Sequence, residues 1–167
     1  MPFTLFHLGP AFAFGLLLRK WLHLPTLLVA SVAVDVEPLL LLVLKLDYPL
    51  HGYLHTFLAA IPYGVAIGYI MIYLEKMFNP LYKALLLEED RPIGKKPFLL
   101  SGLIGTASHI LLDSPLYEDI HPFYPLETNP LYNTLLTLPI YSLCIWTLLI
   151  GVLLYLLLWI LKAVRRD

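Results

Sequence analysis

Five long apolar segments follow one another along the chain, and they constrain its fold more than any other feature. They cover about residues 2–18, 25–46, 49–74, 97–113 and 134–161. A helix needs roughly 20 mostly apolar residues to cross a bilayer core about 30 Å thick. Only 14% of the residues are charged, against about 25% in an average soluble domain. The pattern predicts an all-α integral membrane protein with about five transmembrane or re-entrant helices.

The chain is short enough for one membrane domain, which we place at residues 1–167, with a C-terminal anchoring span at about 134–161. The formal net charge is −1, so nucleic acid is not an expected partner. Membrane lipids are the expected surroundings, and the sequence leaves an oligomer open. Cys144 is the single cysteine and therefore has no partner within the chain for a disulfide.

The basic residues predict the orientation of the helices. With five crossings and the N-terminus outside, ten of the eleven lysines and arginines lie at the inner side, and Lys45 alone lies outside. Positively charged residues are enriched on the cytoplasmic side of membrane proteins. We therefore expect a multi-pass protein of a prokaryotic plasma membrane, or inner membrane, with a cytoplasmic C-terminus.

Local patterns predict where individual segments start, break and pack. Pro38 lacks an amide donor and disfavours helix at Glu37, so the segment 25–46 should break there and either span or re-enter. Gly64 and Gly68 form a small-xxx-small pattern that suits close contact with another helix. Residues 75–96 mix both charges and predict a solvated loop, with room for a surface helix around 81–87.

Two pairs of polar side chains lie inside these apolar segments at the spacing i, i+4. They are His51 with His55, and His109 with Asp113. On an α-helix this spacing places both side chains of a pair on one face. Neutral imidazole and carboxylate together suit zinc and similar divalent cations. His109, Asp113 and His55 are therefore candidate metal ligands, and His51 is a candidate ligand, proton shuttle or binding group for an anionic substrate.

Two acidic residues lie deep in the second segment. At about 1.5 Å per residue, Asp35 lies roughly 15 Å from the start of that segment, near the membrane midplane. A carboxylate there costs about 2.5–3.5 kcal/mol unless a partner compensates it. Asp35 is thus a candidate metal ligand, and Glu37 is a second ligand, an acceptor for an imidazole N–H, or a general base.

The predicted topology brings these groups to a similar depth. Asp113 lies near the outer end of its segment, and His51 and His55 lie near the outer start of theirs. His7 lies at the outer start of the first segment and is a further candidate ligand. His121, in the outer loop, either completes the site from above or is solvated. We therefore predict one polar cavity in the outer half of the membrane.

The order of these polar elements resembles a known family. The chain carries His7-x-Gly9-Pro10, then Asp35-Val-Glu37, then His51-Gly-Tyr-Leu-His55-Thr56, then Ser108-His109-Ile-Leu-Leu-Asp113, and finally His121-Pro-Phe123. Over residues 4–125 this is similar to prokaryotic membrane-bound metal-dependent hydrolases, also described as LexA-binding, inner-membrane-associated hydrolases. The arginine of the family's HRGxTHS-like element is missing here.

That family is distantly similar to the helical zinc-dependent phospholipase C and P1 nuclease group. The resemblance implies one metal held by four residues, Asp35, His55, His109 and Asp113. It also implies that His7 can add a second metal through Asp113. Glu37 or His51 would then move the proton during catalysis.

The function inferred from the sequence is a membrane-embedded metal-dependent hydrolase that acts on a phosphoester from the outer face. A phospholipid is one such substrate, and one or two zinc ions are the favoured cofactor. Two alternatives stay open: a small transporter that couples the same His/Asp cluster to metal ions or protons, and a non-catalytic membrane interaction protein.

Overall fold

A computed structural model describes residues 5–85, 87 and 94–164. All regular structure in these residues is helical, which confirms the all-α prediction. The helices are α1 (Leu8–Leu17), α2 (Leu24–Ala33), α3 (Val36–Leu44), α4 (Phe57–Ala84), α5 (Lys95–Asp113) and α6 (Thr137–Val164). Short 3-10 turns lie at Leu5–His7, Tyr53–His55 and Thr134–Leu136.

The described residues contain fewer clear membrane spans than the sequence predicts. Two helices, α4 and α6, are long and apolar enough to cross a bilayer, and α2 with α3 can form a third, bent span. The count of about five spans is not confirmed. The helix α1 has only 10 residues, and the 19 residues of α5 include serine, threonine, histidine and aspartate. These polar residues lie largely inside the protein, so α5 is less apolar than a helix that faces lipid.

The helices pack side by side in the order α4, α5, α2, α1, α6. Contacts along the row show that α4 and α5 run in opposite directions, as do α1 and α2. At one end of the helices, here called the cluster end, lie the start of α4 and the end of α5. At the opposite end of the helices, here called the distal end, lie the end of α4 and the start of α5. Many apolar side chains on the outer surfaces are exposed, as expected for contact with lipid.

Glycines allow α5 to lie very close to its two neighbours. A Cβ at Gly102 would collide with the carbonyl oxygen of Gly64, and one at Gly68 would lie 2.6 Å from the carbonyl oxygen of Phe98. A Cβ at Gly105 would lie 2.6 Å from Ala30 of α2. The predicted contact at Gly64 and Gly68 is therefore present, and α5 is held between α4 and α2.

The helical pairing predicted for His51 and His55 is wrong. Helix α4 begins only at Phe57, and His55 lies in the 3-10 turn before it. The hydroxyl of Thr56 accepts a hydrogen bond from the amide of Ala59, so Thr56 caps the helix and fixes its start. The two imidazoles still contact each other, with ring centroids 4.8 Å apart, but through a bend in the chain.

The predicted loop at 75–96 is also wrong in its first half, because α4 continues to Ala84. Its side chains there are not all solvated. Glu75 lies 3.1 Å from the imidazole of His23, and Tyr82 is buried. These contacts pack the end of α4 against the α1–α2 connection. Residue 86 and residues 88–93 lie outside the described residues, as do Arg91, Arg165 and Arg166 of the orientation argument.

The predicted break in the second segment is present, two residues before Glu37. Helices α2 and α3 meet at an angle of 42°, and Asp35 is the residue that precedes α3. Pro38 lies in the first turn of α3, where a missing amide hydrogen costs little. Pro38 is also the one buried residue of α3, so α3 extends from the row with most of its surface exposed.

Candidate metal centre

Four side chains converge at the cluster end of the helices. Each offers one ligand atom, and these atoms all lie within 4.8 Å of one another. The four residues come from three places in the sequence and are all buried: Asp35, His55, His109 and Asp113. Atoms this close to one another can bind one common ion.

Helix α5 supplies His109 in a fixed orientation. Its Nδ1 donates a hydrogen bond of 2.8 Å to the backbone carbonyl of Ser31 on α2. The other nitrogen, Nε2, lies 3.4 Å from Asp35 and 3.3 Å from Asp113. Within the described part of the chain this buried atom has no hydrogen-bond partner. In the neutral ring Nε2 therefore carries a lone pair directed at two carboxylates.

His55 is held in the same manner by a different acceptor. Its Nδ1 lies 3.3 Å from Oε2 of Glu37, which also accepts a hydrogen bond from the amide of Leu54. Its Nε2 lies 4.0 Å from Asp35 and lacks a hydrogen-bond partner among the described residues. A metal would bind the neutral ring of His55, and the contact with Glu37 holds the ring hydrogen on Nδ1.

The carboxylates occupy places where the backbone changes course. Asp35 stands at the break between α2 and α3, and Asp113 is the last residue of α5. Asp113 still lies one helical turn after His109, on the same face of α5. Both carboxylates are at most 4% exposed. Anionic oxygens this far from water need a compensating charge or hydrogen-bond donors.

His7 borders the cluster through Asp113. Its Nε2 lies 3.2 Å from Oδ1 of Asp113, and its ring stacks on His109 with centroids 4.0 Å apart. The Nδ1 of His7 is buried without a hydrogen-bond partner in the described structure. Asp113 therefore lies between two imidazoles, and its second oxygen faces His109.

His51 lies on another side of the cluster. Its Nδ1 is 2.8 and 3.0 Å from the two carboxylate oxygens of Asp119. The ring packs against His55 and against Tyr117, at centroid distances of 4.8 and 4.5 Å. Burial raises the pKa of Tyr117 well above its ordinary range, so its hydroxyl remains protonated.

The donor set fits a divalent cation. Two imidazole nitrogens, which would be neutral with a metal bound, and two carboxylates supply four ligands, the number that zinc usually takes in proteins. The Nδ1 of each imidazole ligand is bound by an oxygen acceptor, which is the usual arrangement for metal-binding histidines. The cluster could therefore hold a metal ion.

The sequence-predicted residues thus divide by position. Asp35, His55, His109 and Asp113 converge, and His7 touches the group through Asp113. Glu37 and His51 each lie one contact away, and His121 is outside the convergent group. Asp119 was missed by the sequence reasoning. The acidic dipeptide Glu118-Asp119, close before His121, is the pattern that could have drawn attention to it.

In the described residues, fold and site together define an all-helical protein with two or three helices apolar enough to span a membrane and a buried His/Asp cluster that could hold a metal. No protein-family model matches the chain. No curated protein and no solved structure shows a significant match either.

Proposed function

We propose that this protein is a membrane-embedded metal-dependent hydrolase that acts on a phosphoester, with zinc as the favoured metal. The motif order supports the proposal, because it resembles that of membrane-bound metal-dependent hydrolases. In our proposal the chain crosses the membrane of a prokaryotic cell about five times with the N-terminus outside. The cluster end then faces outwards, where a phospholipid headgroup or another phosphoester can approach it.

One observation carries the proposal. Two buried imidazole nitrogens, Nε2 of His55 and Nε2 of His109, lack hydrogen-bond partners in the described structure and face carboxylates. Buried polar atoms are seldom left unpaired in folded proteins. A divalent cation would satisfy both nitrogens and both carboxylates at once.

Each residue then has a distinct task. A bound metal would polarise the phosphoryl group and lower the pKa of a bound water towards about 7. Asp35, His55, His109 and Asp113 hold it, while His7 orients Asp113. Glu37 keeps His55 in its Nδ1–H form through the 3.3 Å contact. His51 is the group that moves a proton.

A metal-ion or proton-coupled transporter is the second candidate, and the helix break at Asp35 favours it. Discontinuous helices place coordinating groups near the bilayer midplane in many transporters. Here Asp35 stands between two helices that meet at 42°. Both candidates use the same metal cluster, but the hydrolase cleaves a bound substrate whereas the transporter releases the ion across the membrane.

The test uses the full chain purified in detergent and reconstituted into phosphatidylglycerol vesicles. Elemental analysis should find about one divalent metal per chain. Hydrolysis of the lipid and of bis(p-nitrophenyl) phosphate should depend on that metal and be lost in the Asp35→Asn variant. Asp47→Asn is the matched control, because Asp47 is an exposed carboxylate beyond α3.

The outcomes separate the candidates. Bound metal together with hydrolysis supports the hydrolase, whereas metal uptake into vesicles without hydrolysis supports the transporter. A metal-free protein whose stability does not respond to chelators would overturn the hydrolase and the metal-ion transporter, because both need a metal at the cluster, and would leave only proton coupling.

A further inference from the structure

A second carboxylate–imidazole pair lies beside the cluster and is not part of it. Asp119 contacts Nδ1 of His51 with both oxygens, at 2.8 and 3.0 Å, across 68 positions of sequence. The carboxylate can only accept, so Nδ1 carries the hydrogen. In the neutral ring Nε2 is then the nitrogen with the free lone pair.

The contact is built by the fold. The connection between α5 and α6 carries Asp119, and it is fastened at several points. The amide of Phe57 donates to the carbonyl of Pro122 at 2.9 Å, and the side chain of Asn129 donates to the carbonyls of Ser114 and Tyr117. These bonds fix the connection beside the start of α4.

Solvent limits what this pair contributes to stability. The side chain of Asp119 is 49% exposed, so water screens its charge. His51, by contrast, is buried at 6% exposure and packs against the ring of the proposed ligand His55. One side of the pair therefore faces solvent and the other side faces the cluster.

We infer that Asp119 is a positioning residue for the hydrolysis, which holds His51 in the orientation and tautomer needed to accept a proton. This inference rests on the proposed function. As the water oxygen bonds to phosphorus, one water proton passes to Nε2 of His51. The bond from phosphorus to the leaving oxygen breaks, and the same proton then passes to that oxygen as alcohol.

The first experiment is a mutant cycle on the metal-loaded protein with bis(p-nitrophenyl) phosphate as the probe. Asp119→Asn should lower kcat about 10- to 100-fold, the usual effect of removing such a supporting carboxylate, with little change in KM. Asp119→Glu should recover part of the loss. His51→Gln should lower kcat at least as much, and adding Asp119→Asn to it should cost nothing more, because Asp119 acts through His51.

The matched control is Glu118→Gln, which changes an adjacent exposed carboxylate and should leave kcat unchanged. Metal content should be the same in all these variants. A full further loss in the double variant, or an unaffected Asp119→Asn enzyme, would overturn the inference and leave the hydrolase proposal standing.

A second readout does not require activity. In protein labelled with 15N-histidine, the His51 signals, assigned by their absence from His51→Gln, should show hydrogen on Nδ1. Asp119→Asn should shift them towards a tautomer mixture, and Glu118→Gln should not. If the wild type binds metal but hydrolyses no phosphoester, the proposed function fails and the catalytic role of Asp119 fails with it. The spectra then test only whether Asp119 holds His51 in one tautomer. Unchanged His51 signals in Asp119→Asn would overturn this part of the inference as well.

Discussion

At the cluster end and at the distal end of the helices, histidine is buried beside a carboxylate, but the two places are built differently. At the distal end each polar group of His23 has a polar neighbour, although Oε2 of Glu75 makes no hydrogen bond among the described residues. Its amide donates to Ser101 at 2.8 Å, Nδ1 lies 2.7 Å from the hydroxyl of Thr26, and Nε2 lies 3.1 Å from Glu75. At the cluster end two imidazoles keep Nε2 without a hydrogen-bond partner among the described residues.

The difference teaches how to separate a structural histidine from a ligand. Burial lowers the pKa of His23 to about 4, so the ring is neutral. Its Nδ1 shares a hydrogen bond with the hydroxyl of Thr26, and its Nε2 lies 3.1 Å from Glu75. Its stacking on Phe98, with centroids 4.1 Å apart, completes a packing role. At the cluster end acceptors hold Nδ1 and leave Nε2 facing anionic oxygens. Convergence of unsatisfied atoms distinguishes the two ends better than burial or nearby charge.

The largest effect should come from removing one carboxylate at each end. Asp35→Asn should abolish metal binding and the proposed hydrolysis, because the remaining ligands cannot offset the cation's lost hydration. Glu75→Gln removes a carboxylate 3.1 Å from a buried imidazole and should leave the metal content unchanged. Elemental analysis of both purified variants measures the contrast. Equal metal loss in the two variants would show that the ends are not distinct.

A smaller effect is expected at Glu37, which contacts Nδ1 of His55 at 3.3 Å. Glu37→Gln keeps the shape of the side chain and removes its charge, so the metal affinity should fall about 10- to 100-fold. Competition with a chelator of known affinity measures the change. Thr26→Val is the control, because it removes the corresponding contact of His23 and should not alter the metal affinity. An unchanged metal affinity in Glu37→Gln would show that Glu37 is not part of the site.

The next smaller effect is expected from a change in the helix packing between the two ends. Gly102→Ala places a methyl group against the carbonyl of Gly64, which forces α4 and α5 apart. Overpacking of this kind costs about 1–3 kcal/mol, and both ends share these two helices. Thermal unfolding in detergent should show a lower Tm and weaker metal binding together. Gly94→Ala, where a Cβ would meet nothing within 4 Å, is the control; an unchanged Tm in Gly102→Ala would contradict the packing argument.

Much of this arrangement follows from sequence, and the remainder depends on long-range contacts. Helical segments were predictable from apolar runs, and the four converging residues from polar side chains placed at one predicted depth. The His51/His55 spacing misled because the cap at Thr56 overrides a helical interpretation. Asp119 was missed because its partner is 68 positions away. Neighbouring helices bury His23, and no local pattern in the sequence encodes that.

The smallest expected effect is the loss of folding stability on acidification, which should report the protonation of His23 at the distal end. The pKa of His23 is about 4 in the folded protein and about 6.5 in an unfolded chain. Between these values the unfolded state binds the proton and the folded state does not, so stability is present above pH 6.5 and falls towards pH 4. From pH 7 to 5 the free energy of unfolding should fall by at most about 2 kcal/mol, as the two pKa values of His23 require. His23→Gln lacks this titration, whereas protonation of the cluster affects both proteins. The Tm of the wild type should therefore fall more steeply than that of His23→Gln over this range. Parallel curves would mean that the pKa of His23 is the same in the folded and unfolded protein.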